Sequence, residues 1–213
     1  MAENRWKIHK FGGSSLADAE CFRRVAGIVL GMPDHRVGVV VSAMGGMTDA
    51  LINLAVLAER DDDTYDTELD AVGERYAATA RELLRSDSLV MVLDAWSADA
   101  ADIRDVLKAV ALVKSAPQRS RDVVAGYGEI WSARLLAAYL GQEAPGASPV
   151  LFGPGIVSTN TREWSFATTP DGLEIFFGIS SDEIASILHT REVDGRWTEP
   201  AVASFSGLYG DLD

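Results

Sequence analysis

Lys10-Phe11-Gly12-Gly13-Ser14-Ser15 puts a cation, two residues without side chains and two hydroxyls within six positions. Glycines lack a Cβ, so their backbone N–H groups can come close to an anion. The lysine just before them adds a full positive charge, and the serines add hydroxyl donors. Together these groups can cradle a phosphate. The stretch is not a P-loop, because no G-x-x-x-x-G-K-[ST] occurs in the chain. Read alone, it is equally an ordinary turn from a strand into a helix. A second glycine pair with flanking hydroxyls stands in Ser42-Ala43-Met44-Gly45-Gly46-Met47-Thr48-Asp49. Two such turns side by side favour a site more than either does alone. Gly126-Tyr127-Gly128-Glu129-Ile130-Trp131-Ser132 is a third candidate. Two glycines inside a helical pattern cost about 1 kcal/mol each relative to alanine. That cost points to close approach of the backbone to a ligand or another element, with Glu129 beside it. The competing reading is a helix break with a solvated glutamate.

These stretches need elements to hold them. Trp6, Ile8 and Phe11 suit an extended run that ends at the first glycine pair. Leu16, Ala19, Phe22, Val25, Ala26 and Val29 recur at helical spacing to about Leu30, and Met32-Pro33-Asp34 stops them. A helix starting there would aim its N-terminal dipole and unpaired N–H groups at the first glycine pair. Val37-Gly38-Val39-Val40-Val41 reads as a strand buried on both faces of a parallel sheet. Strand, helix and strand form a βαβ unit, which places both glycine turns at one sheet edge. A helix carrying Leu51, Leu54, Ala55 and Ala58 follows the second turn. Leu69, Val72, Tyr76, Ala80 and Leu83 line another, and Leu89–Trp96 and Ile103–Val113 give two further apolar stripes. Asp61-Asp62-Asp63 reads as a solvated loop or helix start, with a metal site the minority reading for want of partner ligands. Pro117 suits the first turn of a helix running through Gly128 and Glu129 to Leu140.

At Gly141 the character changes, and Gln142 to Pro149 is linker-like. Beyond it, Trp164, Phe166 and Thr168 alternate, Pro170-Asp171-Gly172 turns, and Leu173 to Phe177 returns. Ile187 to Val193, Asp194-Gly195 and Arg196 to Thr198 repeat the arrangement, and Asp-Gly between extended runs signals a hairpin. Residues 152–200 therefore read as a four-stranded meander the size of one propeller blade. The expected division is 1–141, a linker over 142–151, and 152–213.

The 213 residues suffice for one sizeable domain or two small ones, and a 47% hydrophobic content argues for a packed core. A formal net charge of −13 argues against nucleic acid or an anionic membrane as the general partner. It also gives a lysine at a glycine turn more significance. Cys21 is the single cysteine, so no internal disulfide forms, which suits a reducing compartment. The N-terminus lacks a signal-peptide run and no apolar segment reaches spanning length, so a cytoplasmic location is expected. His9, His35 and His189 show no metal spacing, and no metal ligand is assigned. The tryptophans and tyrosines read as packing residues.

Residues 5–140 resemble the N-terminal half of an aspartokinase catalytic domain, in the amino-acid-kinase family. The matching stretches are Lys10 to Ser15, Val41-Ser42-Ala43-Met44-Gly45-Gly46-Met47-Thr48 and Gly128-Glu129-Ile130-Trp131-Ser132-Ala133. Similarity is greatest to the kinase portion of bifunctional aspartokinase–homoserine dehydrogenases. The resemblance implies an α/β fold, a parallel sheet with flanking helices, here followed by a small antiparallel meander. It implies ATP-dependent phosphorylation of the side-chain carboxylate of L-aspartate, with magnesium. Lys10 would then bridge the transferring phosphoryl group, and Gly12, Gly13, Ser14, Gly45 and Gly46 would bind phosphate. Ser42 and Thr48 would line the aspartate pocket, and Glu129 would hold the substrate ammonium. The family's catalytic domain continues for about as long again, with a Gly-Ser-Asp turn and a Thr-Asp-Val-Asp-Gly-type nucleotide segment. Neither occurs here. Residues 150–206 instead resemble the opening of a WD40-like, TolB-type β-propeller, through Phe152 to Ser158, Pro170 to Phe177 and Asp194 to Pro200. The expectation is an aspartate kinase-like chain, inactive alone for want of the nucleotide-binding half, with a homo-oligomer or a complementary domain as partner. The alternatives are a non-catalytic aspartate-binding or interaction module and a fragment of a propeller binding protein.

Overall fold

A computed structural model describes residues 7–32, 37–144, 163–169, 173–180, 185–194 and 196–206. Strands β1 (Lys7–Phe11) and β2 (Val37–Val41) pair in parallel, with Lys7 opposite Val37 and Phe11 opposite Val41. A parallel pair needs a crossover, and helix α1 (Ala19–Leu30) supplies it. Both strands thus end level, and both glycine turns leave from the same edge.

Two local features differ from the expectation. A 3-10 turn over Gly13–Leu16 separates the first glycine pair from α1, which begins only at Ala19. Asp18 caps α1 by accepting the Cys21 N–H at 2.9 Å, and that bond holds the Asp18 carboxyl below the usual carboxylate range. The N-terminus of α1 is therefore served by the chain's own carboxylate rather than offered to the first turn. Secondly, β2 is half-buried along its whole length instead of buried on both faces. Among the described residues its sheet has two strands, and α5 (Gln118–Glu143) is the helix that packs most extensively on β2, whereas burial on both faces needs a helix layer on each side.

Helices α2 (Met47–Glu59), α3 (Thr64–Leu83), α4 (Ser86–Val113) and α5 (Gln118–Glu143) build the rest of this part. Leu51, Leu54, Ala55 and Ala58 of α2 have no exposed surface, and α2 packs on α3, α4 and α5. The two apolar stripes at 89–96 and 103–113 belong to the single helix α4. In the interval between them Asp99 is buried, and it is paired there: Trp131 Nε1 donates to it at 3.0 Å, and Arg134 forms an ion pair with it. Trp131 is also the centre of an aromatic cluster, with Tyr76, Trp96 and Tyr127 at ring separations of 5.8, 6.1 and 6.2 Å. Helix α5 runs on to Glu143, where Gln142 donates to the Leu83 carbonyl at 3.1 Å and accepts from the Arg85 N–H at 2.8 Å. That amide therefore clamps the α3–α4 corner. In the aspartate run, Asp62 accepts from Thr64 N–H and Oγ1 at 3.0 and 2.7 Å, and Asp61 pairs with Lys114 at 2.8 Å. It is a helix-entry turn.

The β-rich part is an antiparallel meander of β3 (Glu163–Thr168), β4 (Glu174–Ser180), β5 (Ala185–Val193) and β6 (Arg196–Trp197), with β7 (Ala201–Val202) also on β5. The order matches the reading of the sequence, and Asp194 takes a positive φ of 51° at the second turn. The outer edge of β5 is divided, however. Glu192 and Val193 pair with β6, and Leu188 and His189 pair with β7. No long fourth strand of the kind a propeller blade carries is found among the described residues. Phe152 to Ser158, Pro170-Asp171-Gly172 and the expected linker beyond Ala144 lie outside the described residues. No described helix is long and apolar enough to cross a membrane.

Candidate active site

The β ladder continues one step past the strands, because the Ser42 N–H donates to the Phe11 carbonyl at 3.0 Å. The two glycine turns therefore start side by side and touch through backbone. A Cβ on Gly13 would stand 2.9 Å from the Ala43 carbonyl oxygen, and one on Gly45 would stand 3.4 Å from Ala17 Cβ and 3.5 Å from the Gly13 carbonyl oxygen. Gly12 is different. It is exposed, and a Cβ there would meet nothing within 4 Å. Gly13 thus lets the turns pack together, whereas Gly12 leaves open space that a ligand can enter.

The second turn leads straight into α2. Gly46 forms its N-cap in a left-handed conformation, φ +73°, that glycine adopts without strain. The Met47 N–H donates back to the Met44 carbonyl at 2.8 Å, and no side chain caps the helix. Of the two helices that follow glycine turns, α2 rather than α1 thus presents an N-terminus free of a side-chain cap. Lys10, Gly12, Ser14, Gly46 and Thr48 are exposed, while Gly13, Ser42 and Gly45 are half-buried.

The third stretch reaches the same place from α5. A Cβ on Gly128 would stand 2.9 Å from Ala43 Cβ and 3.3 Å from both Leu51 Cδ1 and Met47 Cγ. The missing side chain is what lets α5 lie on the second turn, and close approach is the reading of this glycine that holds. Exposed Glu129 follows directly. The far side of this helical turn is anchored. Ser132 is buried and donates to the Gly128 carbonyl at 3.1 Å, and buried Tyr76 donates its hydroxyl to the Trp131 carbonyl at 3.2 Å. Burial pushes the Tyr76 hydroxyl well above the usual phenol range. The structure thus brings all three stretches together: exposed Lys10 and the uncapped start of α2 belong to the two glycine turns, and exposed Glu129 belongs to the helix that packs on the second of them. Such an arrangement suits a ligand that carries both an anionic group and an ammonium.

Sequence reading missed Arg75 and Tyr76 on α3 and Asp99 on α4. Arg75 donates from Nη2 to the Gly45 carbonyl. Its helical neighbours read as an ordinary amphipathic face, so only the tertiary contact reveals it. Asp99 had one signal: of the two aspartates between the apolar stripes, it is the one at helical spacing from Trp96 and Ile103.

The sequence matches the amino acid kinase family over residues 5–188. The bifunctional aspartokinase/homoserine dehydrogenase 1, chloroplastic, of Zea mays is 39% identical over 132 residues, 62% of this chain and 14% of that protein. Aspartokinase 3, chloroplastic, of Arabidopsis thaliana is 34% identical over an alignment of 213 positions that covers 96% of this chain and 37% of the relative. Among solved structures, E. coli aspartokinase III in complex with aspartate and ADP superposes with a TM-score of 0.54 at 29% identity, over 64% of this chain and 29% of that one. The same enzyme in complex with lysine and aspartate gives 0.54 at 27% identity, over 66% and 29%. The chain thus spans well under half the length of these relatives. The propeller resemblance finds no support in these comparisons, since the family match continues through residue 188 and the Arabidopsis alignment covers nearly the whole chain. The chain belongs to the amino acid kinase family.

Proposed function

We propose that this chain carries the aspartate-facing and phosphoryl-facing side of an aspartate kinase. The observation that supports it most is the meeting of three separate stretches at Ala43, where Gly13 packs on its carbonyl and Gly128 on its Cβ. In this reading Glu129 takes the substrate ammonium, and Ser42 and Thr48 line the pocket for the aspartate carboxylates. Lys10 lies against the transferring phosphoryl group, and Gly12, Gly13, Ser14, Gly45 and Gly46 surround its oxygens. Phosphoryl transfer needs little covalent help from the protein: it relies on positioning and on positive charge and donors around the equatorial oxygens. The open space at Gly12 and the uncapped α2 N-terminus fit the phosphate end of a nucleotide. ATP would supply the phosphoryl group that the side-chain carboxylate of aspartate attacks. No group of three or more His, Cys, Asp or Glu side chains is placed to hold a metal among the described residues, so no magnesium ligand is assigned.

The 213-residue polypeptide alone is expected to bind L-aspartate without forming aspartyl phosphate, because the Gly-Ser-Asp and Thr-Asp-Val-Asp-Gly-type segments do not occur in it. Misplacing a reacting group by about 1 Å already costs on the order of 10²-fold, and an unheld adenosine is a larger defect. Hydroxylamine trapping with saturating ATP, magnesium and aspartate tests the second statement against a Lys10→Ala control. Product clearly above that control contradicts it. Ligand-observed NMR with L-aspartate, L-asparagine and L-glutamate tests the first, and equal binding of all three contradicts an aspartate site.

A further inference from the structure

Arg75 and Tyr76 are consecutive residues of α3, and each holds a different part of the site. Arg75 Nη2 donates to the Gly45 carbonyl, and its Nη1 lies 3.8 Å from where a Gly46 Cβ would be. Tyr76 donates to the carbonyl of Trp131, two residues past Glu129. A single turn of α3 therefore braces both the second glycine turn and the segment carrying the carboxylate. The glycine turn needs such a brace more than most. Two adjacent glycines give its backbone wide freedom, and Gly46 already sits at φ +73°. Across a trans peptide the carbonyl and the following N–H point in opposite directions. Fixing the Gly45 carbonyl on the α3 side therefore aims the Gly46 N–H away from α3. A guanidinium donor makes a charge-assisted bond, stronger than a neutral one.

We propose that Arg75 is a positioning residue of the anion cradle: through the Gly45 carbonyl it keeps the turn around Gly45–Gly46 from opening, so that the Gly46 N–H remains a donor to the bound anion. The anion's identity rests on the aspartate-kinase reading above, but the brace itself does not. Substitution to methionine keeps the reach of the side chain and removes the charge, and substitution to lysine keeps the charge.

Amide exchange followed by NMR on the full 213-residue chain, without ligand, reads the brace. The probe is the Met47 N–H, bonded to the Met44 carbonyl across this turn. Arg75→Met should speed its exchange about tenfold or more while α3 and α4 amides stay unchanged, and Arg75→Lys should recover part of the protection. Unchanged Met47 exchange overturns the inference, as does equal acceleration throughout α2 and α3. A parallel titration with ATP, whose phosphates the glycine turns would hold, should show about tenfold weaker binding in Arg75→Met. Affinity that falls in Lys10→Ala but not in Arg75→Met leaves the site standing and rejects the role of Arg75. If the unmodified chain binds no aspartate, the aspartate-kinase reading fails, and the exchange result still decides the brace.

Discussion

Gly128 of α5 and Ala43 of the second glycine turn are so close that a methyl group on Gly128 would stand 2.9 Å from the Ala43 Cβ. Leu51 and Met47 close the same space at 3.3 Å. Forcing extra volume into a packed contact costs about 1–3 kcal/mol, against a gain of about 1 kcal/mol for replacing a glycine within a helix. Gly128→Ala should therefore lower stability in urea unfolding. Gly27→Ala is the matched control, because a Cβ on that exposed residue of α1 meets nothing within 4 Å. It should raise stability by up to about 1 kcal/mol. A stabilising Gly128→Ala would mean that α5 does not press on the turn.

The two glycines of the first turn should respond in opposite ways. Gly13→Ala drives a methyl group to 2.9 Å from a backbone oxygen, which cannot swing aside, and should cost about 1–3 kcal/mol. Gly12→Ala has room and a φ of −76° that any residue adopts. It should leave stability within about 0.5 kcal/mol while filling the space assigned to the phosphate. Chemical denaturation of both variants, with an ATP titration of Gly12→Ala, checks this. Equal destabilisation by the two would remove the division of roles.

Asp99 supports the Glu129 helix from behind, through Trp131 and Arg134. Removing its carboxylate leaves a buried indole N–H without its acceptor, while Arg134 retains partial access to water. Hydrogen bonds to a charged group contribute roughly 1.5–3 kcal/mol, so Asp99→Ala should destabilise by about 2 kcal/mol. A loss under about 0.5 kcal/mol would show that the interval between the two apolar stripes of α4 is not held by this pair.

Tyr76 makes a pH prediction. Burial raises its hydroxyl pKa above the ordinary value of 10.0, so the folded chain retains a proton that the unfolded chain releases. The stability linked to this group is fully present below about pH 10 and is lost as pH rises beyond it. Tyr76→Phe forfeits the hydrogen bond to Trp131, about 1 kcal/mol at neutral pH, but has no proton to lose. The stability gap between the wild type and Tyr76→Phe should therefore narrow as pH rises above about 10. Urea midpoints for both proteins across that range provide the measurement, and a constant gap would contradict it.

What the sequence revealed and what it concealed divide along a physical line. The βαβ unit, both glycine turns and the Gly128 stretch were readable because local backbone requirements write themselves into residue types. The start of α1 was misplaced because Leu16 fits helical spacing, whereas a 3-10 turn follows the glycines and Asp18 performs the capping. Helix α4 read as two stripes because its buried Asp99 is acceptable only with partners 32 and 35 residues away. Arg75 left no local mark at all. The meander order was legible from its Asp-Gly turns, while the division of the β5 edge between β6 and β7 was not. Pairing partners are set by tertiary placement rather than by pattern.

Recognition of an ammonium by Glu129, beside the glycine turns, is what an aspartate site here requires most directly. Isothermal titration of L-aspartate into the wild type and Glu129→Gln, at moderate salt, measures it. Glu129 is exposed in the structure, so the charge contributes less than a buried pair would, and a tenfold loss of affinity, about 1.4 kcal/mol, is expected. The loss should shrink for succinate, which has both carboxylates of aspartate but no ammonium. Equal aspartate affinity in the two proteins would remove Glu129 from the site and contradict the aspartate-kinase reading.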